Sequence, residues 1–274
     1  MCRPEYFAVQ YSINVWMDLQ QPIDRRRALR QWEALRATYE RLGHRVYTLD
    51  PQPGLPDMVF TANAAFVVGD QALAARFRDP VRAPEVPAHR KWLARAGISV
   101  YEPTAINEGE GDFVWAGNRI LAGSGFRSDP ASHKELAALF DVPIVSLELV
   151  DPRFYHLDTA LTFLDVDTIA YYPAAFTPDG LQTLITLYPN AIVADETGAL
   201  TFGLNAVSDG CHVVVAEQAE HLINELAAAE FEPVPVDVSE LLKAGGGVKC
   251  STMELHRPAV ARLPAVHPTD EEQP

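Results

Sequence analysis

Positive charge is scarce in this chain: 22 lysines and arginines face 37 aspartates and glutamates, giving a formal net charge of −15 over 274 residues. A surface of that sign repels nucleic-acid phosphates and anionic membranes, so neither is an expected partner, whereas a small cationic substrate is welcome. Cysteine is scarce as well. Cys2, Cys211 and Cys250 form an odd set with no CxxC pair and no zinc-ligand spacing, which points to a reducing cytoplasm. No apolar run is long enough to span a bilayer, and the opening Met1-Cys2-Arg3-Pro4-Glu5 lacks a signal-peptide core. The 48% of hydrophobic residues is ample for a large core and compatible with either two domains or one domain of repeated units.

What is abundant is a recurring phrase: a polar residue, an apolar strand, a tight polar turn and a second apolar strand. Asn63 precedes Ala64–Val68 and the turn Gly69-Asp70; Asp112 precedes Phe113–Trp115 and Gly117-Asn118; Asp158 precedes Ala160–Leu164 and Asp165-Val166-Asp167; Asn205 precedes Ala206–Ser208 and Asp209-Gly210. Glycine, asparagine and aspartate suit the positive φ angles of short hairpins. With Asn14 and Cys250 added, the polar markers are separated by 49, 49, 46, 47 and 45 residues, and so steady a period implies repeated units. Helical stretches are expected at Asp24–Leu42, Ala131–Phe140 and Ala216–Glu230, with further strands at Arg45–Leu49 and Val142–Ser146. The expected architecture is therefore α/β: five ββαβ units closing as a five-bladed α/β propeller, with every marker at one central mouth. This single catalytic domain is expected over residues 1–258. The acidic, proline-rich remainder, 259–274, reads as a disordered tail.

The chemistry concentrates in three places. Gly245-Gly246-Gly247-Val248-Lys249-Cys250 sets a thiol behind three glycines, a backbone able to approach a ligand closely, so Cys250 is the candidate nucleophile. His156 and Asp158, alternating on an expected strand, would emerge on one face and supply a proton shuttle and a carboxylate. The other histidines, His44, His89, His133, His212, His221, His256 and His267, are expected at helix flanks or the surface. A papain-like protease has the opposite order of cysteine and histidine. Glu108-Gly109-Glu110-Gly111-Asp112 cannot be a dinucleotide loop, because its carboxylates would repel a pyrophosphate. Its carboxylates suit a planar guanidinium better than calcium, and no metal or cofactor is expected.

Several segments, in order along nearly the whole chain, resemble the guanidine-modifying, or pentein, superfamily. They are Met1-Cys2-Arg3-Pro4, Tyr11–Met17, Pro56–Ala64, Glu110-Gly111-Asp112, Gly125–Ser128, His156-Leu157-Asp158 and Gly247–Ser251. That superfamily includes arginine deiminases, dimethylarginine dimethylaminohydrolases, amidinotransferases and arginine dihydrolases, and its fold is the five-bladed α/β propeller. The resemblance implies that Cys250 attacks the guanidinium carbon while His156 serves as acid and base. Glu110, Asp112 and Asp158 would hold the guanidinium; Glu108 competes with Glu110 for one role, and Glu110 is the expected match. Phe60 would wall the substrate stem, and Arg82 and Arg127 would meet its α-carboxylate. Asn14 and Asn63, with the Met1-Cys2-Arg3-Pro4 opening, look most like the arginine dihydrolase branch, which converts arginine to ornithine, ammonia and carbon dioxide. The alternatives are a dimethylarginine hydrolase, a deiminase that releases citrulline, or, from another class, a non-catalytic propeller of the ribosome-binding type. Oligomeric state is left open, a homo-oligomer included.

Overall fold

The computed structural model describes residues 1–256, so the tail expected at 259–274 and His267 lie outside the described residues. The fold is α/β, and the repeat is explicit in four three-stranded sheets of one connectivity. The first holds β1 (Ala65–Val68), β2 (Gln71–Ala74) and β3 (Ser99–Tyr101); the second, β4 (Phe113–Trp115), β5 (Ile120–Ser124) and β6 (Ile144–Glu148). The third holds β7 (Leu161–Phe163), β8 (Ile169–Tyr171) and β9 (Ile192–Val193); the fourth, β10 (Val207–Ser208), β11 (His212–Ala216) and β12 (Glu232–Val236). In each, a hairpin pairs the first two strands antiparallel, and a helical crossover lays the third parallel to the second. The crossover helices are Val86–Arg95, Ala131–Phe140, Pro178–Leu187 and Glu220–Ala228.

The first and last segments meet outside these sheets. Cys2 bridges Leu49 in parallel on either side of the helix Arg25–Arg41, and His256 bridges Val68. That helix starts where Asp24 accepts the Arg27 N–H at 3.0 Å and buries Trp32, Leu35 and Tyr39. Residues 45–49, expected as a strand, keep only the bridge at Leu49.

Two further expectations need correction. The helix expected from Ala216 begins at Glu220, because Ala216 is still paired with Val236 at the end of β11. His156 and Asp158 do not share a strand: His156 is extended, whereas Asp158 lies in a single helical turn, Leu157–Ala160. The same device recurs at Thr61–Ala64, which contains Asn63, and at Gly109–Gly111, which contains Glu110. A helical turn thus delivers these side chains to the entrance of a hairpin. His89 and His133 are buried rather than solvent-facing; burial lowers both, His89 to about 3.

The sheets bury apolar clusters between themselves and their helices, notably Leu147, Phe154, Leu157, Leu161, Ile169, Leu184, Val213 and Leu222 in the largest. Among the described residues no helix is long and apolar enough to cross a membrane.

Candidate active site

The polar markers converge. Cys250 is 2% exposed and follows the glycine run whose Gly247 carbonyl accepts the Ser251 N–H. Asn205 holds it at two points: its Oδ1 accepts the Cys250 N–H at 3.0 Å, and its Nδ2 donates to Sγ at 3.1 Å. The same Nδ2 lies 3.1 Å from the Asp158 carbonyl, and the thiol donates to Asp158 Oδ2 at 3.3 Å. Burial, then the charge of Asp158, pushes the Cys250 thiol well above its usual range, and burial raises Asp158 to about 7. Cys250 therefore rests as a thiol, beside a carboxyl group that changes charge close to neutral pH.

His156, 1% exposed, places Nε2 2.8 Å from Glu108 Oε2. Burial alone would raise Glu108, but the His156 hydrogen bond and the charge of Arg127, at 3.0 Å, hold it at about 2. An ionised Glu108 only accepts, so His156 carries its proton on Nε2 and leaves Nδ1 to exchange protons elsewhere. Among the described residues Nδ1 has no partner, and neither do Asn63 Nδ2 or Asp158 Oδ1, all buried. Buried polar atoms rarely stay unpaired, so these three mark where a polar ligand is received.

Asn63 and His156 both sit over Gly111, where a Cβ would fall 2.5 Å from Asn63 Nδ2 and 3.1 Å from His156 Cε1. The orientation of the Asn63 amide is set from behind. Arg82 Nη1 donates to its Oδ1 at 2.8 Å, and a guanidinium has no acceptor, so Nδ2 must face inward. Arg82 is otherwise saturated by Glu85, at 2.9 and 2.8 Å, and by the Asp57 carbonyl. Arg127 is similarly engaged, between Glu108 and the Ile13 carbonyl, with its guanidinium 4.7 Å from the Tyr155 ring centroid.

Of the remaining expected residues, Asp112 accepts from Ser128 Oγ at 2.6 Å and the Leu157 N–H at 3.2 Å, bracing the turns that carry Glu108 and Asp158. Phe60 packs edge-on to Phe7 and against Gly246, where a Cβ would lie 2.3 Å from the Phe60 ring; only glycine fits there. Asn14 hydrogen-bonds to the backbone and not to the thiol. Its amide caps Trp16 and Met17 and donates to the Ala244 carbonyl at 3.1 Å, pinning a strap, residues 11–17, to the glycine run. Trp16 Nε1 donates to the Arg153 carbonyl and Tyr11 Oη to Asp57, which fastens the strap elsewhere. Cavities of about 430 and 350 Å³ flank the segment Glu254–His256, and neither is lined by Cys250 or His156.

Glu110 differs most from expectation. It turns away from His156, to Lys249 Nζ at 2.6 Å and the Glu254 N–H at 2.9 Å, so Glu108 is the glutamate beside the histidine. Asn205 was not singled out as a site residue, although its position in the 45-to-49-residue period already aligned it with Asn63 and Asp158.

No family model matches the chain. Among curated proteins it is 53% identical over 256 residues to N(G),N(G)-dimethylarginine dimethylaminohydrolase of Mycobacterium tuberculosis, covering 93% of this chain and 85% of that protein. It is 37% identical to the bifunctional arginine dihydrolase/ornithine cyclodeaminase ArgZ of Synechocystis, covering 98% of this chain but only 39% of that longer protein. Among solved structures, the N-terminal domain of ArgZ covalently bound to a reaction intermediate superposes with a TM-score of 0.90 at 35% identity, over 94% of this chain and 97% of that one. With a buried cysteine and histidine assembled among carboxylates and relatives of this closeness, the chain belongs to the guanidine-modifying superfamily and is a hydrolase of amidine carbon–nitrogen bonds.

Proposed function

We propose that this hydrolase is an arginine dihydrolase, converting arginine and two waters to ornithine, two ammonia molecules and carbon dioxide. The observation that carries the reading is the inward-facing Asn63 Nδ2, fixed by Arg82. Once the first ammonia has left and water has replaced the sulfur, the ligand is a citrulline whose ureido oxygen is an acceptor. A donor at Asn63 matches that oxygen and retains it; an aspartate would oppose acceptor to acceptor and favour release. The solved ArgZ domain bound to substrate, at 34% identity and a TM-score of 0.91, supports arginine as the ligand class.

The site's own groups supply each step. A guanidinium entering beside Asp158 brings a positive charge that stabilises the ionised forms of Asp158 and Cys250, and the thiol proton passes to His156 Nδ1, which is open to accept it. Cys250 Sγ bonds to the guanidinium carbon, and the carbon–nitrogen bond breaks as His156 Nδ1 protonates the departing ammonia, leaving an S-alkylthiouronium. His156, now neutral, takes a proton from water, which adds to the same carbon; the carbon–sulfur bond breaks and citrulline forms. A second round of attack on the ureido carbon expels the second ammonia and leaves an S-carbamoyl cysteine. Its hydrolysis gives a carbamate that splits to ornithine and carbon dioxide. Ionised Glu108 holds the imidazole and stabilises its cationic form. Asp112 braces the turns, Phe60 walls the stem, Arg82 orients Asn63 and Arg127 helps to keep Glu108 ionised.

We read the architecture as five-bladed, the fifth unit being completed by the chain's two ends: Cys2 and Leu49, parallel across a helix, repeat the β2–β3 relation, and His256 brings the last segment beside β1. The cytoplasm suits an enzyme whose three cysteines are free and whose nucleophile is a thiol.

A second reading, dimethylarginine hydrolysis, is favoured by the name of the 53%-identical relative. Product analysis by mass spectrometry separates the two. Arginine yielding ornithine in wild-type protein and citrulline in Asn63→Asp supports the dihydrolase. Wild-type protein that yields only citrulline, or that has higher catalytic efficiency on asymmetric dimethylarginine than on arginine, sinks it.

A further inference from the structure

We propose that the hairpin end between β10 and β11 forms a second site, a surface site for a thiophilic divalent cation, zinc by donor type, ligated by Cys211 Sγ, His212 Nε2 and a Glu232 carboxylate oxygen. The ligand atoms of these three side chains all lie within 4.8 Å of one another. Consecutive residues on an extended strand point to opposite faces, so Cys211 and His212 should diverge. They converge because Asp209 folds the turn: its Oδ1 accepts the Cys211 N–H at 2.9 Å and the His212 N–H at 2.7 Å, and Gly210 takes a φ of +93°. Glu232 arrives from the neighbouring strand, directly opposite His212 in the parallel β11–β12 register, and its N–H donates to the Cys211 carbonyl at 2.8 Å.

The second Asp209 oxygen provides an independent argument. Oδ2 lies 2.9 Å from His212 Nδ1 and fixes the orientation of the ring. Nε2 is left pointing at Glu232 Oε2, 3.5 Å away. A carboxylate on the outer nitrogen of a histidine is the arrangement that orients imidazole ligands of zinc and raises their basicity. Tetrahedral ligands at roughly 2.0–2.3 Å from zinc lie about 3.3–3.8 Å from each other, so the histidine and glutamate, at 3.5 Å, are already spaced for it and the thiol lies within 4.8 Å of both. Sulfur, nitrogen and one carboxylate favour zinc over calcium or magnesium, which take oxygen. The half-exposed His212 and well-exposed Glu232 leave a fourth position to water. His44 Nε2, 3.4 Å from Asp209 Oδ2, is a further neighbour of the same carboxylate.

Among the described residues one other cluster has metal-ligand types, Glu110, Glu254 and His256, but Lys249 Nζ sits 2.6 Å from each glutamate and fills it with a cation of the protein's own.

The test uses cobalt(II) as a spectroscopic probe in chelator-washed Cys250→Ser protein, which leaves exposed Cys211 and buried Cys2 as the remaining thiols. Saturable one-to-one binding with a near-ultraviolet sulfur-to-cobalt charge-transfer band is expected. Cys211→Ser in that background should abolish the band, and Glu232→Gln and Asp209→Asn should each weaken binding about 10–100-fold. Because Cys211 and Glu232 are exposed, their variants should melt as the parent does, which separates lost binding from lost folding. Absence of binding at millimolar cobalt overturns the proposal. So does a band that survives Cys211→Ser, or an affinity indifferent to both Glu232→Gln and Asp209→Asn.

Discussion

Glu108 and Glu110 are two residues apart, both wholly buried, and they live in different chemistry. On one side of Gly109, Glu108 faces His156 and Arg127; on the other, Glu110 faces Lys249, the Glu254 N–H and His256. The division is made by the backbone. Gly109 has a φ of +54° and would place a Cβ 2.5 Å from the Ala65 carbonyl oxygen, so only glycine lets the turn Gly109–Gly111 form against β1. What the difference teaches is that burying a carboxylate does not decide its role; its partner does. Glu108 is given an imidazole, which can change protonation near neutral pH, and Glu110 a lysine, which does not. Burial lowers Lys249, yet the two glutamates outweigh it and leave it raised overall.

The largest test of this division removes the reagent on the Glu108 side. Cys250→Ser should lose all measurable turnover in an ammonia-release assay while keeping the parent circular dichroism spectrum, because a resonance-stabilised guanidinium has no other nucleophile at hand. A variant with near-normal rate would put the chemistry elsewhere.

The next pair sets the two glutamates directly against one another. Glu108→Gln should reduce kcat by about 10²–10⁴-fold, since the imidazole loses a facing negative charge, and should also lower stability because buried Arg127 loses its carboxylate. Glu110→Gln should keep kcat within a few-fold but lower stability by about 3–5 kcal/mol, because it strips a close partner from a buried ammonium. Steady-state kinetics and urea unfolding of both variants would reverse the comparison if the two effects on kcat were exchanged.

Smaller effects come from pH, and the two carboxylates nearest the catalytic groups should move in opposite senses. Glu108 is lowered from 4.5 to about 2, so its contribution is present above its unfolded value and is lost as pH falls towards 2. Asp158 is raised from 3.8 to about 7, so its contribution is present below its unfolded value and is lost as pH rises through 7. Relative to Asp158→Asn, ligand-free wild-type protein should therefore lose several degrees of melting temperature between about pH 4 and pH 7. Parallel melting curves for the two proteins across that range would refute the assignment.

The smallest expected effect is none. In the proposed mechanism thiol, imidazole and carboxylates serve as nucleophile, proton carrier and anchor, so EDTA should leave turnover unchanged, and any metal at Cys211 should be removable without kinetic consequence. Activity lost in EDTA and restored by one divalent ion would move a metal into the chemistry.

Much of this was written in the chain itself. The 45-to-49-residue period placed Asn63, Asp112, Asp158, Asn205 and Cys250 at equivalent positions, and hairpin turn chemistry with apolar alternation located the sheets, because both are local and repeat. Gly245-Gly246-Gly247 ahead of a thiol was equally legible, since a close approach such as that of Phe60 to Gly246 demands a residue without a side chain. Choosing between Glu108 and Glu110 was not, because two acidic residues in one glycine-rich turn look alike until Lys249 and His156 arrive from 139 and 48 residues away. Nor could the sequence tell that Arg82 would spend itself on Glu85 and Asn63 and so fix which end of an amide faces the site. Composition and spacing determined the repeat and singled out Cys250 as the candidate reagent; only tertiary structure decided which carboxylate serves which cation, because that choice depends on partners distant in the chain and on a low-dielectric interior where each buried charge must be matched.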